Sequence, residues 1–438
     1  MFDFLKYVQP GNYYSLVSRM PQAVLLNGEN LNQRIGYRLE ISEKLDRAFY
    51  NLQSGSIPEK GSTRQQIQDF TVVDVLDNYI FLRRYFSKPH VLMVLALRIL
   101  SLKNPIYEFY FFLKTRVHKR ITIHSKAYED FEEFESKLIK SNPLISVIIP
   151  TLNRYEYLKD VLNDLEKQDY TNFEVIVCDQ SEPVDMNFYN GWNLNIQVIR
   201  QDERALWLAR NTSIRTAKSE YIALSEDDVV IPFDWITNHL KCLDFFNVDI
   251  SAGVFYRDNG PVKANSIGEC NFKLSSQFPT GNSFLRKSVF ESIGLFDRQF
   301  EKQRMGDGEF GLRALLNGFV IVTNPMAYII DIKAPTGGLR EMGSWDALRP
   351  TNLFAPRPIP SVLYLIRNYF GESIAMFYLL KNIPFSFIPY KFKKSKKLKL
   401  IFMIFFPLLL PLMLFVSVKS WKEASRKLKE GSRIEILE

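Results

Sequence analysis

The stretch that most constrains this chain begins just after Asn142-Pro143. There Ile145, Val147, Ile148 and Ile149 crowd around Ser146 and stop at Pro150. A strand apolar on both faces needs cover on both faces, which is the situation of a strand inside a mostly parallel sheet. Leu158, Val161, Leu162 and Leu165 then recur at the spacing of one helix face. Phe173 to Val177, Ile196 to Ile199 and Tyr221 to Leu224 read as three further strands. Later, Leu312, Leu315, Leu316 and Phe319 repeat the helical spacing, Gly318 suits a helix end, and Val320 to Val322 reads as a strand. Alternating strand and helix predicts an α/β unit over residues 141–345, with a mostly parallel sheet flanked by helices.

In such sheets ligands bind beyond the carboxyl ends of the strands, where strand order reverses. Three strand ends carry polar groups: Thr151 with Asn153, Asp179 with Ser181, and Glu226 with Asp227 and Asp228. All three are expected to line one crevice.

The flanks differ. Residues 1–140 read as mostly helical, with Arg34 to Leu52 at helical spacing. Val91 to Leu100 is apolar but too short to span a bilayer, and Tyr107 to Leu113 leads into Lys114, Arg116, Lys119 and Arg120. A helical bundle with a basic face fits best, and a membrane-touching surface is the alternative. In residues 346–438, Leu400 to Val418 is almost wholly apolar, with lysines before and after it and Pro407 and Pro411 in its middle. Basic flanks on both sides, with prolines at the midpoint, favour a segment that re-enters or lies flat at a membrane surface over a single span. The net charge of +8 concentrates beside this run, not along a stacking platform, so nucleic acid is not the expected partner. The three cysteines have no C-x-x-C spacing, and no secretory signal opens the sequence, which together predict a reducing, cytoplasmic setting.

Ser225-Glu226-Asp227-Asp228 puts three acids at a strand end. A hard cation, Mg²⁺ or Mn²⁺ bridging to a phosphate, would relieve their repulsion, though a solvated acidic turn has the same composition. Gly306-Asp307-Gly308-Glu309 opens a helix, where Asp307 can act as a cap, as a general base, or as both. Arg210, in Ala209-Arg210-Asn211, suits phosphate or a structural ion pair, and Arg340 closes the flexible run Pro335-Thr336-Gly337-Gly338-Leu339.

Taken in order, Ile145 to Arg154, Val175 to Ser181, Ala209 to Asn211, the acid triplet and Gly306 to Arg313 resemble the motifs of family 2 glycosyltransferases over about residues 144–340. The resemblance implies a GT-A fold, a nucleotide-sugar donor, a divalent metal and inversion at the anomeric carbon. By that likeness Asp179 meets the base or ribose, with Pro150 and Thr151 lining the pocket. Glu226 and Asp228 hold the metal, Asp227 supports the donor sugar, and Asp307 deprotonates the acceptor. Arg210 and Arg340 contact phosphate, and Asp331 stands where many members have a metal-binding His. Glu226 replaces a more usual Asp, while Cys178 and Gln180 replace Asp and Gly.

The expectation is therefore a metal-dependent sugar transferase of cell-envelope polysaccharide biosynthesis. It would work at the cytoplasmic face of the membrane on a lipid-linked or glycan acceptor. A non-catalytic glycan-binding scaffold is the alternative. Pro150 to Tyr155 holds no glycine, against a nucleotidyltransferase phosphate loop, and no Q-x-x-R-W sequence of processive synthases occurs.

Overall fold

The structure, a computed structural model, describes residues 2–11, 35–57, 73–257, 271–275, 277–334, 352–388 and 396–437, without the side chains of residue 385 and residues 396–406. The chain divides into two compact units, Met1–Lys126 with Ile366–Asn382, and Ala127–Leu365 with Ile383–Glu438.

The first unit is helical, as expected. Its N-terminal part contains α1 (Leu5–Val8), α2 (Glu40–Ser54), α3 (Val75–Tyr85), α4 (Lys88–Leu100) and α5 (Pro105–Lys114). Phe2 stacks on Phe81 with ring centroids 4.1 Å apart, and Phe49 meets Phe81 and Tyr85 edge-on. Inside this aromatic core Asp46 accepts from Tyr37 and from both Nε and Nη2 of Arg84, so its charge is buried but paired. Asp74 and Asn104 cap α3 and α5 through their side chains, with Pro105 at the first helical position.

The second unit holds α6 (Lys137–Lys140), β1 (Ile145–Thr151), α7 (Tyr155–Leu165), β2 (Phe173–Asp179), β3 (Ile196–Arg200), α8 (Leu206–Thr216) and β4 (Tyr221–Ser225). It continues through β5 (Val229–Val230), α9 (Trp235–Phe245), β6 (Ile250–Arg257), β7 (Lys273–Leu274), β8 (Asn282–Arg286), α10 (Ser288–Ile293), α11 (Gly306–Leu316) and β9 (Ile321–Asp331). The chain passes between the units within α12 (Pro360–Phe370) and α13 (Glu372–Ser386), and α14 (Lys396–Glu430) ends in the second.

Among the described residues nine strands form one sheet, ordered β3-β2-β1-β4-β8-β6-β9-β5, with β7 also on β9. β3, β2, β1 and β4 run parallel, which is the part the sequence pattern anticipated. The rest is mixed, which corrects the expected mostly parallel sheet: β8 lies antiparallel to β4 and β6, and β5 and β7 lie antiparallel to β9. β1 sits between β2 and β4, so strand order reverses at its carboxyl end.

Contacts also tie the chain on either side of residues 141–345 to the sheet. Phe131 and Phe134 already pack on Phe245, and Ser136 donates to Asp244, so the segment before β1 belongs to the sheet unit. At the far end, Leu295 N donates to Glu435 O, which ties the last residues to the same unit. The re-entrant break expected at Pro407 and Pro411 is absent: α14 is one helix of 35 residues running through both. Each proline removes one N–H from the helical ladder, but at i and i+4 both fall on one helix face. Among the described residues no helix is long and apolar enough to cross a membrane.

The mixed half of the sheet is joined by a buried polar cluster. The β6–β9 register slips between Gly253 and Val254, and a Cβ at Gly253 would lie 2.2 Å from Ala327 O. Asn282 fills this seam. Its Nδ2 donates to Val254 O and Ala327 O, while its Oδ1 accepts from Trp235 Nε1 and lies 3.0 Å from His239 Nε2. His239 is fully buried, and desolvation pushes its imidazole pKa down to about 3. In the unfolded chain the same group titrates near ~6.5. The unfolded state therefore binds the extra proton first, and stability is lost as pH falls below that value. Between about pH 6.5 and 5 the unfolding free energy is expected to drop by about 2 kcal/mol through this group alone. Urea titrations across that window should show the slope in the native chain and a flatter one in His239→Gln.

Candidate functional site

The carboxyl ends of β1, β2 and β4 bring Thr151, Asp179 and the acid triplet to one edge. Thr151 and Asp179 are register partners, and Thr151 Oγ1 donates to Asp227 Oδ2 at 2.8 Å. Pro150, one position earlier, is buried on β1 and paired with Cys178.

The triplet is managed by two arginines. Arg154 Nη1 lies 3.0 Å from Asp227 Oδ1 and 3.2 Å from Asp228 Oδ2, and Asp228 Oδ2 also accepts from Ala334 N. Arg210 is buried on α8, its Nη1 donates to Thr280 O, and its Nε has no hydrogen-bond partner among the described residues. Burial pulls its pKa down to about 10, while Glu226, Asp307 and Asp227 act against that pull. One guanidinium is thus within electrostatic reach of both the strand-end acids and the helix acid. Desolvation raises the Glu226 carboxyl to about 7 and that of Asp227 to about 6, with Arg210 opposing the first and Arg154 the second. The extra methylene of Glu226 is accommodated by Gly281, where a Cβ would come within 2.6 Å of the Glu226 carboxyl carbon.

Asp179 is fully buried at the end of β2. Its Oδ2 accepts from Tyr155 OH at 2.7 Å and Tyr189 OH at 2.8 Å, and its Oδ1 accepts from Ser181 N. Gln180, in place of the family glycine, has a defined job: its Oε1 accepts from Ala205 N at the start of α8 and from Gln201 Nε2. Buried Cys178 lies 3.7 Å from Gln201 Oε1, and desolvation raises its thiol to about 12, which leaves it inert.

Asp307 is exposed and sits in the first turn of α11, with the surrounding protein raising its pKa while Gly308 N, Arg304 and Arg210 oppose the shift. It is not the N-cap. That position is Met305, held at φ +79°, and it makes no side-chain cap. A left-handed non-glycine backbone costs about 1–2 kcal/mol and marks a position fixed by its surroundings. Next to it, Gly306 lies against Trp207, and a Cβ there would stand 2.3 Å from the indole ring. Glu309 is structural, paired with Arg313 at 2.8 Å.

Asp331 ends β9 opposite Val229, accepts from Lys333 N, and contributes to the raised pKa of Glu226. Arg340 and its glycine run lie outside the described residues. Among the described residues no three His, Cys, Asp or Glu side chains form a ready metal cluster. The donor chemistry still suits Mg²⁺ or Mn²⁺. Such ions take one or two carboxylates plus substrate phosphates instead of a full protein cage, and Glu226 with Asp228 offers hard oxygens in that number.

Residues 146–297 match the model of glycosyl transferase family 2. This segment is a family 2 glycosyltransferase domain. Glycosyltransferase GlyA of Streptococcus pneumoniae is 27% identical over 166 residues, covering 37% of this chain and 22% of that protein. Glycosyltransferase AglE of Haloferax volcanii is 26% identical over 171 residues, 35% of this chain and 56% of that one. Poly(ribitol-phosphate) β-N-acetylglucosaminyltransferase TarS of Staphylococcus aureus is 28% identical over 112 residues, 24% of this chain and 20% of that one. These alignments therefore span from about a fifth to just over half of each relative's length. Among solved structures, TarS 1–349 in complex with UDP-GlcNAc aligns with a TM-score of 0.43 at 19% identity, over 66% of this chain and 92% of that one.

Arg154, Tyr155, Tyr189, Gln180 and Trp207 are the site residues that motif reading passed over. Arg154 lay inside the opening motif, but its partners are 73 and 74 positions away, which spacing alone does not reveal. The Trp207–Gly306 contact gives a direct test. Gly306→Ala should lower turnover by about 10²-fold, the scale of a roughly 1 Å misplacement of a catalytic group. Gly308→Ala, whose Cβ would meet only the flexible end of Met305 at 3.1 Å, should cost far less. Steady-state rates with thermal melts of both variants measure the difference.

Proposed function

We propose that this chain transfers a sugar from a nucleotide-diphospho-sugar to a hydroxyl of a lipid-linked or cell-envelope glycan. Transfer is metal-dependent, proceeds with inversion, and adds one sugar per event. The observation that carries the reading is Arg210, a buried cation within electrostatic reach of the strand-end acids Glu226 and Asp227 and of the helix acid Asp307. A transferase needs those two poles together: one beside the departing diphosphate, one beside the attacking hydroxyl.

In this mechanism Asp179, Pro150 and Thr151 hold the nucleoside end of the donor, and the hydroxyls of Tyr155 and Tyr189 set the orientation of the Asp179 carboxylate. Asp227, fixed by Thr151 and Arg154, faces the sugar. Asp307 takes the proton from the acceptor oxygen as that oxygen bonds to the anomeric carbon and the bond to the diphosphate breaks. Arg210, and Arg340 from its loop, stabilise negative charge on the leaving diphosphate. A divalent ion held by Glu226 and Asp228, with Asp331 in reach of the same charge, would supply further neutralisation there. Work at the cytoplasmic face of a membrane fits α14, where Leu408, Leu410, Leu414, Phe415 and Val418 are exposed. TarS carries poly(ribitol-phosphate) in its name, and GlyA and AglE are named as transferases. These names support a glycan acceptor for this chain.

The test is donor turnover. The full chain is incubated with UDP-, GDP- and dTDP-sugars and Mn²⁺ or Mg²⁺, with and without membrane-extracted acceptors, and released nucleoside diphosphate is measured. One donor should be consumed, and Asp228→Asn and Asp307→Asn should each lose about 10²–10⁴-fold. No turnover with any donor, together with no metal-dependent binding of any nucleoside diphosphate by calorimetry, would leave a glycan-binding scaffold as the reading.

A further inference from the structure

Helices α4 and α5 present an outward face that the proposed chemistry does not use. Val91, Val94, Leu95 and Arg98 of α4 face inward, as do Glu108, Phe111 and Phe112 of α5. The opposite side is apolar and open: Leu102 is 95% exposed, Ile106 82% and Leu100 78%, with Leu92, Phe109 and Tyr110 also exposed. The most exposed three cluster at the turn between the helices. Contiguous apolar exposure of this kind marks an interaction surface.

Charge identifies the partner. From Arg83 to Tyr128 the sequence holds a single acid, Glu108. That residue is buried, ion-paired with Arg98 and bonded to Tyr79 OH. Every charged side chain left on the outside is therefore basic, including Lys88, Lys103, Lys114, Arg116, Lys119 and Arg120. A protein partner for such a face would need apolar and acidic surface at matched positions. An anionic lipid surface offers acyl chains beneath phosphates over its whole area. The helices have 13 and 10 residues, far short of a span, and Tyr107 and Tyr110 lie beside the apolar tip, a position suited to the headgroup layer.

We propose that the turn between α4 and α5 dips into an anionic membrane leaflet, with Leu100, Leu102 and Ile106 among the acyl chains and the basic residues at the phosphates. This assigns a lipid-binding role to the N-terminal unit. It is independent of α14 and of any sugar transfer.

The experiment uses the full chain with Cys270→Ser and Leu102→Cys, the latter labelled with an environment-sensitive fluorophore; Cys178 and Cys242 are buried. Vesicles are phosphatidylcholine alone or with phosphatidylglycerol. The label should shift to the blue on anionic vesicles, with binding to neutral vesicles at least about tenfold weaker. Adding Lys103→Glu and Lys114→Glu should weaken anionic binding about tenfold or more, at about a tenfold loss for each ~1.4 kcal/mol. Flotation of the chain with no change at the label would assign the attachment to another segment and overturn the proposal. So would a vesicle-independent shift that grows with protein concentration, which would mark the face as a contact between copies. Leu410→Glu with Leu414→Glu in α14 serves as the control, and the blue shift should survive it. Loss of sugar transfer in any variant has no bearing on this readout.

Discussion

The second unit is organised around the cost of placing Glu226, Asp227 and Asp228 side by side at the end of a buried strand. Three like charges in a low-dielectric edge cannot all ionise without cations nearby. Arg154 answers from the turn after β1, and Arg210 answers from α8. Both depend on the sheet order. β1 must lie beside β4 for Thr151 and Arg154 to reach Asp227, and α8 must cross behind it for Arg210 to reach Glu226. The parallel half of the sheet can thus be read as the scaffold that holds two guanidinium groups against three carboxylates. Desolvation, with the neighbouring acids adding to it, still holds the carboxyls of Glu226 and Asp227 above the usual range.

The legible part of the sequence was the part governed by local periodicity. The apolar run Ile145 to Ile149, the helix face Leu158 to Leu165 and the strand ends at Asp179 and Asp228 announced themselves because burial on both faces leaves only apolar choices. The motif Ala209-Arg210-Asn211 falls on α8, where Arg210 is buried. The mixed half was not legible. β8 reads Asn-Ser-Phe-Leu-Arg, with polar residues at positions that are buried in the fold. Asn282 belongs there because of Trp235, His239, Val254 and Ala327, none of them near it in sequence. Long-range satisfaction of polar groups has no periodic signature. The same reason hid Tyr155 and Tyr189, which matter only because both reach Asp179.

Two misreadings came from local rules that tertiary packing overrode. Asp307 has the sequence look of a helix cap, yet Met305 holds that position at positive φ and Asp307 falls in the first turn, beside a Gly306 packed against Trp207. Pro407 and Pro411 look like helix breakers, yet α14 passes through both. A proline four residues after another frees the carbonyls of a single face. On the described part of that helix Met413 and Val416 are buried while Leu408, Leu410, Leu414 and Phe415 face outward, so packing on one side coexists with exposed apolar surface on the other.

The end of α14 bears directly on the segment that leads to Asp307. Lys427 Nζ donates to Gln299 O, Gln299 Nε2 donates to Gly431 O, and Arg433 N donates to Asp297 Oδ1, whose other oxygen accepts from Tyr364 OH. These bonds fix residues 297–300, and Gln303 Oε1 accepts from Ser361 N just before the strained Met305. A left-handed methionine persists only where neighbours over-determine it. The C-terminal residues and Trp207 grip the segment from its two ends, so the orientation of Asp307 is set by contacts from parts of the chain more than a hundred residues apart. The tail beyond the family domain thus steadies the segment that leads to Asp307, the residue proposed above as the proton acceptor.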